Sequence, residues 1–309
     1  MKIKKPKFWE KKNNILSLLF LPLSIFLQFL IKIKIRLTKK NSFKIPIICI
    51  GNIYIGGTGK TPLSIMIVQD LIKLGKKPAI IKKFYSSHYD EHKLIKTSGI
   101  PLFLGRERSQ AIIDAENHGH ELAILDDGFQ DHSIHKNLTI LCFNSNQLIG
   151  NEMTIPSGPL RESFEGIKKA QVIIINGEKN NLFEEKIRNY SSKIKIYYSQ
   201  YIPSNLEQLK GKNLYAFAGI GNPSNFFKLL KNHNLKVQKT IEFPDHYEFS
   251  RAEIQKMNDE CINNNCELIT TEKDYLRIKK YNFTNINHLK IKLEIPKKEE
   301  LINLILNCK

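Results

Sequence analysis

Cys49-Ile50-Gly51-Asn52-Ile53-Tyr54-Ile55-Gly56-Gly57-Thr58-Gly59-Lys60-Thr61-Pro62 is the stretch on which the fold turns. The β-branched run Ile45–Ile50 predicts a strand before it, and the apolar periodicity of Leu63–Leu74 predicts a helix after it. A strand, a glycine-rich turn and a helix start form the context of a phosphate-binding loop. Unpaired N–H groups at a helix N-terminus carry partial positive charge and suit a polyphosphate. Gly56, Gly57 and Gly59, with Thr58 between them, let the main chain approach an anion. Lys60 is then placed for the β and γ phosphates, and the Thr61 hydroxyl for Mg²⁺. Tyr54 stands where the pattern G-x-x-x-x-G-K-[ST] has its first glycine, while the Gly-Gly-x-Gly-Lys-Thr core is intact. Nucleotide binding is expected, against the plainer alternative of a glycine-rich turn.

Outward from the loop, short apolar runs alternate with helical patterns. That alternation predicts a P-loop NTPase-like α/β fold: a mostly parallel sheet with helices on both faces, and a second, smaller α/β lobe. Strands are expected at Ile45–Ile50, Pro78–Ile81, Leu122–Leu125, Leu138–Phe143 and Val172–Ile175, with helices at Thr61–Leu74 and Ser109–Asn117. Lys82–Gly99 is polar and aromatic without periodicity and reads as a loop able to act as a lid. A break near Tyr201-Ile202-Pro203-Ser204-Asn205 introduces the second lobe. There Leu214–Ala218 and Leu268–Thr271 read as strands, and Asn225–His233 and Glu299–Leu306 as helices. Ser250-Arg251-Ala252-Glu253 is a capping box opening a helix to about Asn263. The expected division is 1–40, 41–200 and 201–309.

Residues 1–40 carry a second signal. Ile15–Ile31 runs for seventeen residues without a charge, interrupted by Pro22 and Gln28, whereas a spanning helix needs about 20 apolar residues. Lys2, Lys4, Lys5, Lys7, Lys11 and Lys12 precede it, and Lys32, Lys34, Arg36, Lys39 and Lys40 follow. Charge on both flanks suits an apolar helix or hairpin lying in an anionic membrane surface, with Trp9 near the interface; a buried core helix is the alternative. The whole chain has 48 Lys plus Arg against 30 acidic residues, a formal charge of +18, which favours anionic partners. No nucleic acid is expected, because no recognised binding motif or basic helix with interleaved aromatics is present. The five cysteines are scattered and read as reduced thiols.

Further residues have the chemistry of phosphoryl transfer. Leu122–Leu125 ends in Asp126-Asp127-Gly128-Phe129-Gln130; adjacent carboxylates repel unless a cation offsets them, so Asp126 or Asp127 is expected to work with Mg²⁺. Tyr89-Asp90-Glu91-His92 offers a carboxylate able to accept a hydroxyl proton. Arg108 in Gly105-Arg106-Glu107-Arg108, and Arg161 in Pro156-Ser157-Gly158-Pro159-Leu160-Arg161-Glu162, have the planar fork that suits phosphate. His246 follows an acid in the turn Phe243-Pro244-Asp245-His246-Tyr247. Thr270-Thr271-Glu272-Lys273-Asp274 is near a guanine-reading motif, but its lysine is displaced by one position, so GTP specificity is not read here.

Taken in order, these motifs resemble the tetraacyldisaccharide 4′-kinase family of lipid A biosynthesis. The matches run from about residue 40 to 280, and the family shares the missing first glycine of the loop. The resemblance implies ATP·Mg²⁺-dependent phosphorylation of the 4′-hydroxyl of a tetraacylated glucosamine disaccharide 1-phosphate, giving lipid IVA. It also implies a place at the cytoplasmic face of the bacterial inner membrane, with the acylated lipid as substrate. Carried over by position, Gly56, Gly57, Thr58, Gly59, Lys60, Thr61 and Gln130 serve the nucleotide, and Thr61, Asp126 and Asp127 the metal. Asp90 is then the base, poised by His246, with Arg108 and Arg161 near substrate or nucleotide phosphates. The chain departs from the family at three places: Lys82-Lys83-Phe84-Tyr85-Ser86 replaces a Ser-Arg-Gly-Tyr-Gly run, His92 follows Asp90-Glu91, and Asp131 precedes His132 where a histidine is usual. Two other readings are a membrane-positioning switch ATPase, against which Ile55 replaces its signature loop lysine, and a small-molecule kinase with an apolar N-terminal core.

Overall fold

β1 (Ile47–Gly51), the strand that feeds the glycine-rich turn, is buried on both faces in a computed structural model describing residues 6–85 and 89–308. Such a strand reads as a continuous apolar run because helices cover both sides of a parallel sheet. β1 lies between β4 (Leu122–Asp126) and β5 (Leu138–Asn144). β2 (Pro78–Lys83) and β3 (Leu102–Gly105) extend the sheet beyond β4, and β6 (Val172–Asn176) and β7 (Lys195–Pro203) extend it beyond β5. β12 (Ile291–Glu294) completes the order β12-β7-β6-β5-β1-β4-β2-β3, and the ladders from β3 to β7 are all parallel. The chain runs from β1 toward β2 and β3 on one side, and from β5 toward β6 and β7 on the other. The loop after β1 therefore opens at a topological switch point, where α/β sheets hold ligands.

The chain divides into two compact units. The first holds the described residues of 5–84, 99–200 and 293–309; the second holds those of 85–98 and 201–292. The linear division at 40 and 200 differs from this in three respects, the first being that the described residues up to 40 group with 41–84. Residues 85–98 group with the later part of the chain, and the closing helix, α10 (Lys298–Leu306), groups with the first unit. Near the expected break at 201–205 the unit boundary falls between Gln200 and Tyr201, inside β7, which continues to Pro203.

In the first unit, α3 (Lys60–Lys73) buries Leu63, Ile67, Val68 and Leu71, and α5 (Arg108–Asn117) buries Ala111, Ile112 and Ala115. α6 (Asn181–Tyr190), capped by the Asn180 side chain, adds Phe183 and Ile187. The apolar N-terminal run is two helices, α1 (Ile15–Leu19) and α2 (Leu21–Leu37), with Pro22 in the first turn of α2, where its missing N–H costs nothing. Among the described residues no helix is long and apolar enough to cross a membrane. The two helices are not simply core: Ile15, Leu19 and Leu37 are 82%, 70% and 78% exposed. Their other side carries buried hydroxyls that bond the segment 151–161. Ser24 Oγ donates to Thr154 O at 2.9 Å and accepts from Ser157 N, and Asn151 Nδ2 donates to Ser17 Oγ. Lys2, Lys4 and Lys5 lie outside the described residues.

The second unit carries a parallel sheet of order β11-β10-β8-β9, formed by β8 (Asn213–Ala218), β9 (Lys236–Glu242), β10 (Glu267–Thr271) and β11 (Ile286–Leu289). α7 (Pro223–Asn232) buries Phe226, Phe227 and Leu230; α8 (Arg251–Asn263) opens with the expected capping box, both reciprocal bonds present. The loop expected at 82–99 is corrected: residues 89–97 form α4 (Tyr89–Thr97), while Ser86, Ser87 and His88 lie outside the described residues. The inward face of α4 is Asp90, His92 and Ile95, all buried. Two of these three are polar, so the helix has no apolar period to read.

Candidate active site

The phosphate loop begins with a tethered backbone. Arg161 N donates to Ile53 O at 2.7 Å and Ile55 N to Pro159 O at 2.9 Å, while the Tyr54 side chain is buried. The position of the usual first glycine is thus part of a short antiparallel bridge between Tyr54 and Leu160. Asn52 closes the turn, its Nδ2 donating to Tyr54 O at 2.6 Å and Thr58 Oγ1 at 3.0 Å. Gly56 and Gly59 have φ of 118° and 91°, in the region that excludes most side chains, and Gly59 caps α3.

The two carboxylates at the end of β4 have different surroundings. Asp126 is fully buried; its Oδ2 accepts from Thr61 Oγ1 at 2.9 Å and from Lys82 Nζ at 2.6 Å. Its Oδ1 is buried with no hydrogen-bond partner among the described residues. A bare buried carboxylate oxygen is costly unless a cation approaches it. Asp127 Oδ1 instead lies 2.8 Å from Arg161 Nη1 and 3.6 Å from Lys60 Nζ. Burial pushes the Asp127 carboxyl up, but Lys60, Arg161 and Lys82 outweigh it and hold it well below the usual carboxylate range. Its backbone is left-handed, φ 60°, and its carbonyl accepts from Arg108 Nη2 at 2.6 Å. Arg108 Nη1 also pairs with Asp131 at 3.2 Å, so Arg108 shapes the turn rather than projecting into solvent. Gln130 Nε2 donates to Asn52 O at 2.8 Å, and its Oε1 accepts from Arg161 at 3.2 Å, joining the turn after β4 to the phosphate loop.

The second unit assembles a different constellation. Asp90, in the first turn of α4, is buried among cations. Oδ1 lies 3.1 Å from His246 Nδ1; Oδ2 accepts from Arg277 Nη2 at 2.5 Å, with Lys273 Nζ at 3.6 Å. Burial raises the Asp90 carboxyl, but the His246 hydrogen bond, Lys273 and Arg277 outweigh it and keep it well below the usual range. His246 stands at φ 56° with its N–H donating to Gly219 O at 3.0 Å, in a turn whose neighbours Phe243, Tyr247 and Phe249 pack their rings together. Strained backbone at a titratable residue beside a buried acid is characteristic of functional sites.

The structure thus brings Lys60, Thr61, Asp126, Asp127, Arg108, Arg161 and Gln130 together in one unit, and Asp90 with His246 in the other. Two residues were missed. Lys82 lies near the end of β2 in a run that differs from the family pattern, and its pairing with Asp126 has no local signature. Arg277 stands three positions past Asp274, outside every quoted motif. His132, one place beyond Asp131, is half-buried, and burial with nearby Lys169 and Lys136 lowers its pKa. Among the described residues no cluster of three His, Cys, Asp or Glu side chains could hold a metal by itself.

A family model described as tetraacyldisaccharide-1-P 4′-kinase matches residues 16–308. A tetraacyldisaccharide 4′-kinase of Pelagibacter ubique is 42% identical over 310 residues, covering 99% of this chain and 98% of the relative. One from Paramagnetospirillum magneticum is 32% identical, covering 88% and 89%. A crystal structure of LpxK from Aquifex aeolicus in complex with ATP has a TM-score of 0.73 at 24% identity, over 95% of this chain and 99% of that one, a likeness of fold. With the family pattern matched from the N-terminal helices to the last one, this chain belongs to the tetraacyldisaccharide-1-P 4′-kinase family.

Proposed function

We propose that the protein transfers the γ-phosphoryl group of ATP to the 4′-hydroxyl of a tetraacylated glucosamine disaccharide 1-phosphate. The observation that carries this reading is the whole-length family match coinciding with an intact Gly-Gly-x-Gly-Lys-Thr loop beside two charged carboxylates. The hydroxyl oxygen forms the new bond to the γ-phosphorus as the bond to the β–γ bridging oxygen breaks, its electron pair leaving with ADP. Asp90 takes the hydroxyl proton. Its cations keep it ionised and so in the accepting form, and His246, with Nδ1 toward Oδ1, orients it. Lys60 and the loop N–H groups hold the phosphates, and Arg161 is positioned by Asp127 to meet the charge that spreads over the transferring oxygens.

Mg²⁺ fits the donor set. Asp126 offers a buried unpartnered oxygen next to the Thr61 hydroxyl, and Mg²⁺ needs only one or two protein ligands beside water and phosphate. Asp127 is engaged by Lys60 and Arg161, which makes Asp126 the better first ligand. The ion would neutralise charge on the phosphate oxygens. The exposed apolar side of α1 and α2, flanked by Lys32, Lys34, Arg36, Lys39 and Lys40, supports seating on the anionic cytoplasmic leaflet of the inner membrane, where an acylated substrate resides. The switch-ATPase alternative is disfavoured, since Ile55 replaces the signature lysine and its N–H is spent on Pro159.

The test is transfer of label from γ-labelled ATP to the acylated disaccharide in detergent micelles. Labelled bis-phosphorylated lipid is expected. Its absence with ATP and magnesium present, from protein that binds ATP, rejects the reading.

A further inference from the structure

Thr270–Asp274 is a near-miss of a guanine-reading motif, and the function proposed above leaves both it and Arg277, three positions beyond it, without a role. Their geometry supplies one. α9 (Glu272–Ile278) starts at Thr271, whose Oγ1 accepts from Asp274 N at 3.1 Å and donates to Asp274 Oδ2 at 2.7 Å. Asp274 is fully buried, and its Oδ2 also accepts from Gly219 N at 2.9 Å. Its Oδ1 accepts from Arg277 Nη1 at 2.5 Å, and the same nitrogen donates to Gly219 O at 2.7 Å. One arm of the guanidinium is therefore anchored twice, to a buried acid and to a main-chain carbonyl. The other arm, Nη2, donates to Asp90 Oδ2 at 2.5 Å and stands 3.3 Å from His246 Nδ1.

We infer that Arg277 is a positioning residue for the base: its guanidinium, locked by Asp274 and Gly219, fixes the plane of the Asp90 carboxylate, with Thr271–Arg277 as the frame of the clamp. The inference rests on the reading of Asp90 as the proton acceptor. Two anchored donors, Arg277 on Oδ2 and His246 on Oδ1, leave the carboxylate no rotational freedom. A planar fork can hold two acids and a carbonyl in one fixed arrangement, which an ammonium on a flexible stem cannot. Lys273 is the other cation near Asp90, but it is more distant and is shared with Glu91 at 2.9 Å. Gly219 belongs to the same device. A Cβ there would stand 3.2 Å from Asp274 Oδ1 and 3.1 Å from Tyr247 Cβ, so a side chain would press on both halves of the clamp. The charged and titratable groups around Asp90 are Glu91, His92 and Lys93 on α4, Lys273, Asp274 and Arg277 on α9, and Asp245 and His246 in the turn.

The experiment measures kcat and KM against pH for full-length wild type, Arg277→Met, Arg277→Lys and Asp90→Asn, alongside ATP binding and thermal unfolding. Arg277→Met should lower kcat roughly ten- to hundred-fold, with KM for ATP changed less than about twofold. Losing the cation also lets the Asp90 carboxyl rise, so an acid limb of kcat should appear at higher pH than in wild type. Arg277→Lys should keep that limb near its wild-type place while kcat falls, because charge is retained and the fork is lost. Added guanidinium should restore part of the turnover of an Arg277→Ala variant. A folded, ATP-binding Arg277→Met enzyme with wild-type kcat and an unmoved acid limb overturns the inference. Should that variant not fold, wild-type kcat in Arg277→Lys overturns it instead. If Asp90→Asn still transfers phosphate at the wild-type rate, the reading of the base itself fails. If Asp90→Asn is inactive while the Arg277 variants behave as wild type, only the role of Arg277 fails.

Discussion

Lys82 Nζ and Asp126 Oδ2 are 2.6 Å apart, with side chains 5% and 0% exposed, and they join the ends of β2 and β4 inside the first unit. Removing one partner of such a pair leaves a buried charge uncompensated. Lys82→Met is therefore expected to destabilise the protein by about 3–5 kcal/mol. Urea denaturation measures it, and adding Asp126→Asn to the same chain should recover part of the loss. An unchanged unfolding midpoint in Lys82→Met would show that the pair contributes nothing.

Lys60 is the cation of the phosphate loop, and Asp127 keeps Arg161 when Lys60 is lost. Lys60→Ala should lower kcat/KM for ATP by about 10²–10³ while the fold survives. Calorimetric ATP titration with steady-state turnover checks this. Normal turnover would remove the loop from the chemistry.

Gly51 ends β1 where the chain passes the turn after β4. A Cβ at Gly51 would lie 2.4 Å from Phe129 Cβ and 3.2 Å from Phe129 N, and Phe129 is a buried core residue. Gly51→Ala must push strand and turn apart, at a cost of about 1–3 kcal/mol. Thermal unfolding should show a lowered midpoint; an unaltered one would mean the turn yields freely.

Ser24 and Ser157 tie α2 to the segment that ends in Arg161, Ser24 Oγ accepting from Ser157 N at 3.0 Å. Both are buried, so Ser24→Ala leaves a donor and the Thr154 carbonyl without their partner, costing about 1–3 kcal/mol. Faster limited proteolysis within 151–161 should accompany the loss. For the same reason, deleting residues 1–36 should destabilise the first unit and, on the membrane seating proposed above, also weaken binding to anionic vesicles. A truncated protein with wild-type stability would contradict this.

Acid should weaken the protein through Asp90 and Asp127. Both carboxyls are lower in the folded protein than in the unfolded chain, where an aspartate titrates near about 3.9. The unfolded chain thus binds protons first as pH falls, so the stability these groups supply is complete above that value and drains away below it. The difference in unfolding free energy between wild type and Asp90→Asn should shrink between about pH 5 and pH 2. A constant difference would mean that the cations around Asp90 do not bias its ionisation.

Local rules reach far in this chain because the central strands of its first sheet are parallel and buried on both faces. Each strand is then a short apolar run between helices, and β1, β4, β5 and β6 begin and end within about two residues of expectation. The phosphate loop, the Asp126-Asp127 pair and the capping box at Ser250 were legible for the same reason: each is a contiguous motif whose geometry is dictated over a few residues. α4 was not legible, because its buried face is polar and a polar face carries no hydrophobic period. β7, α6, β9 and β11 lie in stretches too mixed in character for a single pattern to stand out.

The amino-acid order alone determined the α/β class, the anion-binding turn and the family to which the chain belongs. Only tertiary structure decided which charges meet. Asp90 and Arg277 are separated by 187 positions, Asp126 and Lys82 by 44, and no helical or strand period links such distances. Packing brings them together, and burial makes the outcome matter: a carboxylate removed from water must find its cation in whatever the fold places beside it.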